Sequence, residues 1–290
     1  MKKAYLALII TVAAAVSGCT PLDSVNPTDP KAGNYVGMHY MGSIGDFALL
    51  EDFTVLGSDI WCADSVNNRI YKYTINGDLD FSFTGGGLTS PTGIGNDGTF
   101  FYAADSDTIF RNLKRFDPAY VSNTAQAQLP NYSSIYSFVK CAASTAYVFA
   151  ATTTAVYRFD SIANSLTAAV STYPFTNITD VKYNSALNEV VVADDGANNK
   201  RIVRLDANLV YGGNKIDFIE DIYGFGIKGN YIFVPTATGI HQLYYDTGVE
   251  IKKFADYGEG SGKIISAGTC DTYNDEVLVG TGSTIKCFGP

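Results

Sequence analysis

Ile70-Tyr71-Lys72-Tyr73-Thr74, Leu113-Lys114-Arg115-Phe116-Asp117, Val156-Tyr157-Arg158-Phe159-Asp160 and Ile202-Val203-Arg204-Leu205-Asp206 are four copies of one phrase. Each runs apolar, spacer, base, apolar or aromatic, polar stop. Gln242-Leu243-Tyr244-Tyr245-Asp246 and Ile285-Lys286-Cys287-Phe288-Gly289 are two degenerate copies, and the fourth positions of the six are 43, 43, 46, 40 and 43 residues apart. A second anchor repeats with it. Apolar runs break at Asp64, Asp105, Thr152, Asp194, Pro235 and Gly280, with gaps of 41, 47, 42, 41 and 45. A unit of this length, rich in β-branched and aromatic residues, holds about four short strands, the size of one propeller blade. Six units predict an all-β fold, a six-bladed β-propeller of four-stranded antiparallel blades.

Within each unit the order is the same. An innermost strand comes first (Phe53-Thr54-Val55, or Asp180-Val181-Lys182-Tyr183), then the apolar run, then the basic phrase. The outermost strands fall at Leu79–Phe83, Thr124–Leu129, Leu166–Val170, Lys215–Ile219 and Val249–Phe254. The sixth unit has none. The strand-like stretch Tyr35–Met41, upstream of the first unit, is expected to pair with Ile285–Phe288, fill the bare edge and close the ring. His39 lies on it and takes a structural role in that closure.

The N-terminus reads differently. Met1-Lys2-Lys3 is followed by 13 apolar residues, Ala4–Val16. That is too short to cross about 30 Å of hydrocarbon as a helix but suits a signal peptide. Val16-Ser17-Gly18-Cys19 at its end resembles the bacterial lipoprotein lipobox. The resemblance implies cleavage before Cys19, a diacylglycerol thioether on its sulfur and acylation, palmitate-type, of its amine; several chains anchor where one is marginal. The expected organisation is residues 1–18 as signal peptide, 19–34 as a Pro-rich tether and 35–290 as the propeller. The expected place is the bacterial cell envelope, on the outer membrane if the organism is a diderm.

Asp64-Ser65-Val66-Asn67-Asn68-Arg69-Ile70-Tyr71-Lys72-Tyr73 resembles the NHL repeat, in which a strand ending Ala-Asp meets an Asn-Arg-Ile turn. Ala193 to Ile202 is a second copy with two extra residues, and the other four units depart from the pattern. The Trp-Asp signature of another propeller class is absent, since the single Trp61 precedes Cys62. Asp64 with Arg69 and Asp194 with Arg201 are expected to form structural hydrogen-bonded turns.

Composition narrows the function. Charged residues are 17% of the chain and the net charge is −9, or −11 once Lys2 and Lys3 leave with the signal peptide. No basic run exists that would neutralise phosphates, so nucleic acid is excluded as a partner. The two histidines, His39 and His241, lie on strands that do not converge, which argues against a Ser-His-Asp triad or a multi-His zinc site. Carboxylates offer one alternative. Glu51, Asp52, Asp180, Glu220 and Asp221 fall at or just before innermost strands, whose starts meet at one mouth of the channel. Oxygen ligands alone suit Ca²⁺, and similar propeller lactonases hold their metal there. A Ca-dependent hydrolase, lactonase or lyase is therefore the second reading; no cofactor is expected under the first. Cys62, Cys141, Cys270 and Cys287 are expected as buried thiols. Loops bearing Tyr132, Tyr173 and Tyr257 suggest a face for recognition. The first reading is a non-catalytic propeller held on the membrane by its lipid, binding an envelope protein or an extracellular ligand.

Overall fold

The structure is a computed structural model and describes residues 38–84, 88–106, 112–118, 127–128, 138–160, 169–257, 263–264 and 267–290. Every element among them is a β-strand. The strands form six sheets in sequence order around a ring, so the six-bladed propeller is observed. The innermost strands are Leu50–Leu56, Pro91–Asn96, Lys140–Ala143, Ile178–Asn184, Gly226–Lys228 and Thr269–Tyr273. The signal peptide, the tether and Tyr35–Gly37 lie outside the described residues.

The reason for the continuous apolar runs is that each blade is covered on both faces. Val190 and Val192 pack with Phe149 and Ala151 of the preceding blade. Val191 and Ala193, on the opposite face, pack with Ile232 and Val234 of the following one. All four are fully buried. Side chains alternate along a strand, so a doubly covered strand must be apolar at every position. Six such clusters exist among the described residues, one per junction between neighbouring blades. Burying each Val, Leu, Ile or Phe contributes about 1.5–3 kcal/mol. Aromatic stacking adds specificity between the first two blades, where Trp61 lies 4.3 Å from Phe101 between ring centroids.

Between the second and third blades the innermost strands approach closely. A Cβ on Gly93 would stand 2.6 Å from Cα of Lys140, and one on Gly95 would stand 2.6 Å from the carbonyl oxygen of Cys141. Only glycine fits there.

The ring closes as expected but with a shifted segment. The closing strand is His39–Ile44, antiparallel to Ile285–Gly289, with His39 opposite Gly289 and Ile44 opposite Ile285. It runs three residues past Met41 because Ile44 belongs to the core between the sixth and first blades. Phe47 N–H and Leu50 N–H then donate to the Ser283 and Gly282 carbonyls at 2.8 and 2.6 Å.

Outer strands differ in their ends. Leu79–Phe83 stands as expected, while the fourth and fifth are Tyr211–Phe218 and Glu250–Tyr257, because pairing to the third strand continues from Leu205 opposite Tyr211 and from Leu243 opposite Glu250. Ala127–Gln128 and Ala169–Val170 are the described parts of the second and third. The fifth blade gains Lys263–Ile264, parallel to Asp256–Tyr257. Cys62, Cys141 and Cys270 are free and buried. Cys287 corrects the expectation of a fourth free thiol, because it is disulfide-bonded.

Candidate functional site: the channel and its mouth

The five acids do not form one cluster. Asp52 and Asp180 enter the channel, fully shielded from solvent. Glu51 precedes Asp52 in sequence, but its carboxylate accepts from the Ser65 hydroxyl at 2.9 Å. Glu220 accepts from the Thr236 and Thr238 hydroxyls at 2.8 and 2.5 Å. Asp221 pairs with Lys200 at the surface. Among the described residues no group of three or more His, Cys, Asp or Glu side chains is placed to hold a metal ion.

The channel instead holds a mixed-charge network to which all six blades contribute. Asp52 of the first accepts from the backbone N–H groups of Phe53 and of Ile94 in the second, at 2.9 and 3.0 Å. The Thr269 hydroxyl of the sixth donates to it at 2.7 Å. Lys140 of the third donates to the Glu51 carbonyl at 2.6 Å and lies 3.8 Å from Asp52. Asp180 of the fourth accepts from Phe225 N–H of the fifth at 3.1 Å and stands 3.8 Å from Lys182 Nζ. Asp271 accepts from the Val55 and Thr272 N–H groups at 3.3 and 2.8 Å.

Burial sets the electrostatics. It pushes the Asp180 carboxyl up to about 6, against the pull of Lys182 and Lys140 and with the help of Asp52. It pushes Asp271 up too, again opposed by Lys182. Lys182 is held above the ordinary lysine value, because Asp180, Asp271 and Asp52 outweigh its own desolvation. Oδ1 of Asp180 is buried without a hydrogen-bond partner.

Above this network the channel widens into a cavity of about 640 Å³. Its wall combines innermost strands (Thr54, Asn96, Lys182, Tyr183, Asp271) with the turns that join first to second strands (Asp97, Gly98, Ser144, Ala146, Ser185, Asn188). Turns of this kind carry a left-handed residue in five blades, Gly57, Gly98, Asn188, Gly229 and Asn274, with φ between 48° and 90°, and Gly98 and Asn188 border the cavity. Gly and Asn adopt that conformation at least cost, so the rim is fixed by its own sequence. Asp97 is braced by the Tyr102 hydroxyl at 2.8 Å and by the Phe100 N–H at 2.7 Å. This mouth is on the face opposite to the innermost-strand starts. The sequence reading missed it because its residues are spread over five units, and an Asn or Asp after an inner strand also reads as an ordinary turn.

The repeat aspartates are clasps. Asp64 accepts from Ala48 and Leu49 N–H and from both nitrogens of Asn67. Asp105 binds Thr89, Ser90 and Lys114. Asp194 binds Thr176, Asn177 and Arg201. The Asp194 to Arg201 pairing is as expected at 2.9 Å. Arg69 differs: it donates to Ser82, since Asn67 already occupies Asp64.

In the fifth blade the clasp is inverted. Thr236 ends the second strand, and the carboxylate, Glu220, comes from the preceding loop. His241 Nε2 lies 3.1 Å from Thr236 Oγ1 and its Nδ1 2.5 Å from Glu250. The spacing is that of a nucleophile, base and acid, but Thr236 is fully buried and its hydroxyl donates to Glu220, so no substrate reaches it. Glu220 is held below the usual carboxylate range, because the Thr238 and Thr236 hydroxyls and His241 outweigh its burial.

Of the loop tyrosines, Tyr173 packs on Tyr211 and Phe175 at 4.6 and 4.9 Å, under the Arg201 guanidinium. It is a half-buried part of the fourth blade. Tyr132, the side chain of Tyr257 and Cys19 lie outside the described residues.

In fold the chain is similar to the solved WD40 β-propeller domain of Doa1, with a TM-score of 0.57 and 10% identity, over 88% of this chain and 97% of that one. At that identity the likeness concerns the fold alone. No family model matches the chain. No curated protein matches it.

Proposed function

We propose that this chain is a non-catalytic, NHL-like binding propeller, exported and lipid-anchored through Cys19 in the bacterial cell envelope, that recognises its partner through the channel mouth. The cavity of about 640 Å³ carries the reading: it is rimmed by fixed turns and lined by hydroxyl, amide and carboxylate groups. Pockets with convergent polar groups on a rigid scaffold are the usual places for recognition. The channel's buried ions are already engaged with backbone and with each other, which suits support better than turnover. A propeller ring gives binding without any required motion, and the tether would hold it near the bilayer.

Two experiments test the parts separately. Ala146 is exposed on the rim, so Ala146→Trp narrows the mouth without touching the core. Partners that co-purify with the wild type should be lost from this variant; an unchanged set refutes recognition through the mouth. For the anchor, Cys19→Ser should move the protein from the membrane fraction to the soluble one. Cys287 is disulfide-bonded while Cys62, Cys141 and Cys270 are free, so within the chain Cys19 is the cysteine left to partner it. A thioether on Cys19 excludes that bond, so in the anchored chain Cys287 is a free thiol and the acyl mass survives thiol reduction. A mature chain lacking that mass refutes anchoring.

A further inference from the structure

The ionisable side chains around the mouth do not balance. Asp97, Lys182 and Asp271 line the wall. One layer deeper, Asp180 stands 3.8 Å from Lys182, and Asp52 stands 3.8 Å from Lys140. Asp97 is held by its own turn and by Tyr102, so along the axis three carboxylates, Asp52, Asp180 and Asp271, face two ammonium groups, Lys140 and Lys182. Both contacts are longer than a direct charged hydrogen bond, and Asp180 Oδ1 has no hydrogen-bond partner. Excess negative charge in a low-dielectric recess focuses potential at its mouth. The chain as a whole, at −9, adds to the same sign.

We propose that the channel mouth binds an organic cation of the primary-amine class, its ammonium group set against Asp271 and its chain lying along the Tyr183 wall. This rests on the binding reading above and names the ligand chemistry for the same site. An anion is disfavoured because Lys182, the one base among the described residues of the wall, is already flanked by Asp180 and Asp271. A bare metal ion is disfavoured because no three of the His, Cys, Asp or Glu side chains described converge on one point, and the recess is far larger than an ion. A neutral ligand would leave the charge excess uncompensated. An ammonium group compensates it, and Tyr183, stacked on Phe149 with centroids 5.5 Å apart and held by Asn188 through its hydroxyl at 2.6 Å, is a fixed aromatic part of the wall for the adjoining carbons.

The test uses the mature chain and follows thermal unfolding with 1,4-diaminobutane dihydrochloride, with 1,4-butanediol of the same shape, and with KCl at matched ionic strength. The diamine should raise Tm by about 3 °C at tenfold its Kd, and the diol and the salt should not. Asp271→Asn should remove at least half of that rise. Lys182→Gln should enlarge it, since the excess negative charge grows, and a merely structural role for either residue would not move the ligand-dependent rise in opposite directions. A diamine effect no larger than that of KCl overturns the proposal. So does an equal effect of the diol, or a rise unchanged in Asp271→Asn. If the diamine fails while Ala146→Trp still costs the protein its co-purifying partners, the cation is wrong and the binding mouth stands; if Ala146→Trp costs nothing either, both fall.

Discussion

Removing the Asp194 carboxylate should be among the most costly single changes in the molecule outside the apolar core. Its side chain is fully buried and accepts five hydrogen bonds. Oδ1 takes Thr176 N–H, Thr176 Oγ1–H and Asn177 N–H at 2.9, 3.0 and 2.8 Å; Oδ2 takes Arg201 Nε and Nη2 at 3.0 and 2.9 Å. Asp194→Ala leaves two backbone donors and a guanidinium that is only 11% exposed without their acceptor. Breaking one partner of a buried ion pair costs about 3–5 kcal/mol, and the orphaned N–H groups set the value toward the upper end. For a domain of this size the loss corresponds to a Tm drop of about 10 °C or more. Urea unfolding of Asp194→Ala, Arg201→Met and the double variant measures it. The double variant should lie well above the sum of the two losses, with a coupling of about 2 kcal/mol, because the stranded charge is gone. Lys215→Ala is the control: its pair with Asp217 is exposed, and such pairs contribute little to stability. A loss under about 1 kcal/mol in Asp194→Ala, or strict additivity with Arg201→Met, would refute the view that the repeat aspartates clasp their blades.

The remaining expectations are shorter. Gly95→Ala should destabilise by about 1–3 kcal/mol, as overpacking does, because its Cβ meets backbone that cannot swing aside; a neutral result in thermal unfolding would show that the second and third blades can part. Asp180 titrates higher folded, at about 6, than its ordinary value of 3.8, so between those values the folded state holds the extra proton and stability falls as pH rises. Asp180→Asn should therefore gain on the wild type between pH 4.5 and pH 7.5, and a constant difference in urea midpoints would contradict the burial argument. Deleting residues 38–44 strips the sixth blade of its partner strand; amide exchange at Ile285–Gly289 should then rise towards unprotected rates, and unchanged protection would mean the edge is satisfied otherwise.

The parts legible in sequence share one physical cause. Period-two burial on both faces makes the second strand of each blade apolar throughout, so Ile60–Ala63, Phe101–Ala104 and Val190–Ala193 stand out against any background. The third strand is only half covered where its base stands, so Lys72, Arg158 and Arg204 reach out to Asp80, Asn208 and Glu189, and the base recurs. Closure was legible because a count of strands left one edge bare. Strand ends were less so: nothing in Gly42-Ser43-Ile44 announces that pairing continues until Ile44 reaches the core. The register slips between Tyr40 and Gly42, a local irregularity that periodicity does not foresee.

The channel was less legible for a deeper reason, which the fifth blade makes plain. A clasp needs a carboxylate and a donor at the junction of loop and second strand, but not in a fixed order along the chain. In the fourth blade the strand supplies Asp194 and the loop supplies Thr176; in the fifth the strand supplies Thr236 and the loop supplies Glu220. A motif search finds the first and reads the second as a loss. The same exchange operates across the ring, where Lys140 and Asp52 come from blades two apart and meet only because the circle closes. Sequence repeats report what each blade needs for itself. What the blades supply jointly to the axis is spread over six units as single, differing residues, and only the closed geometry adds them into one electrostatic site.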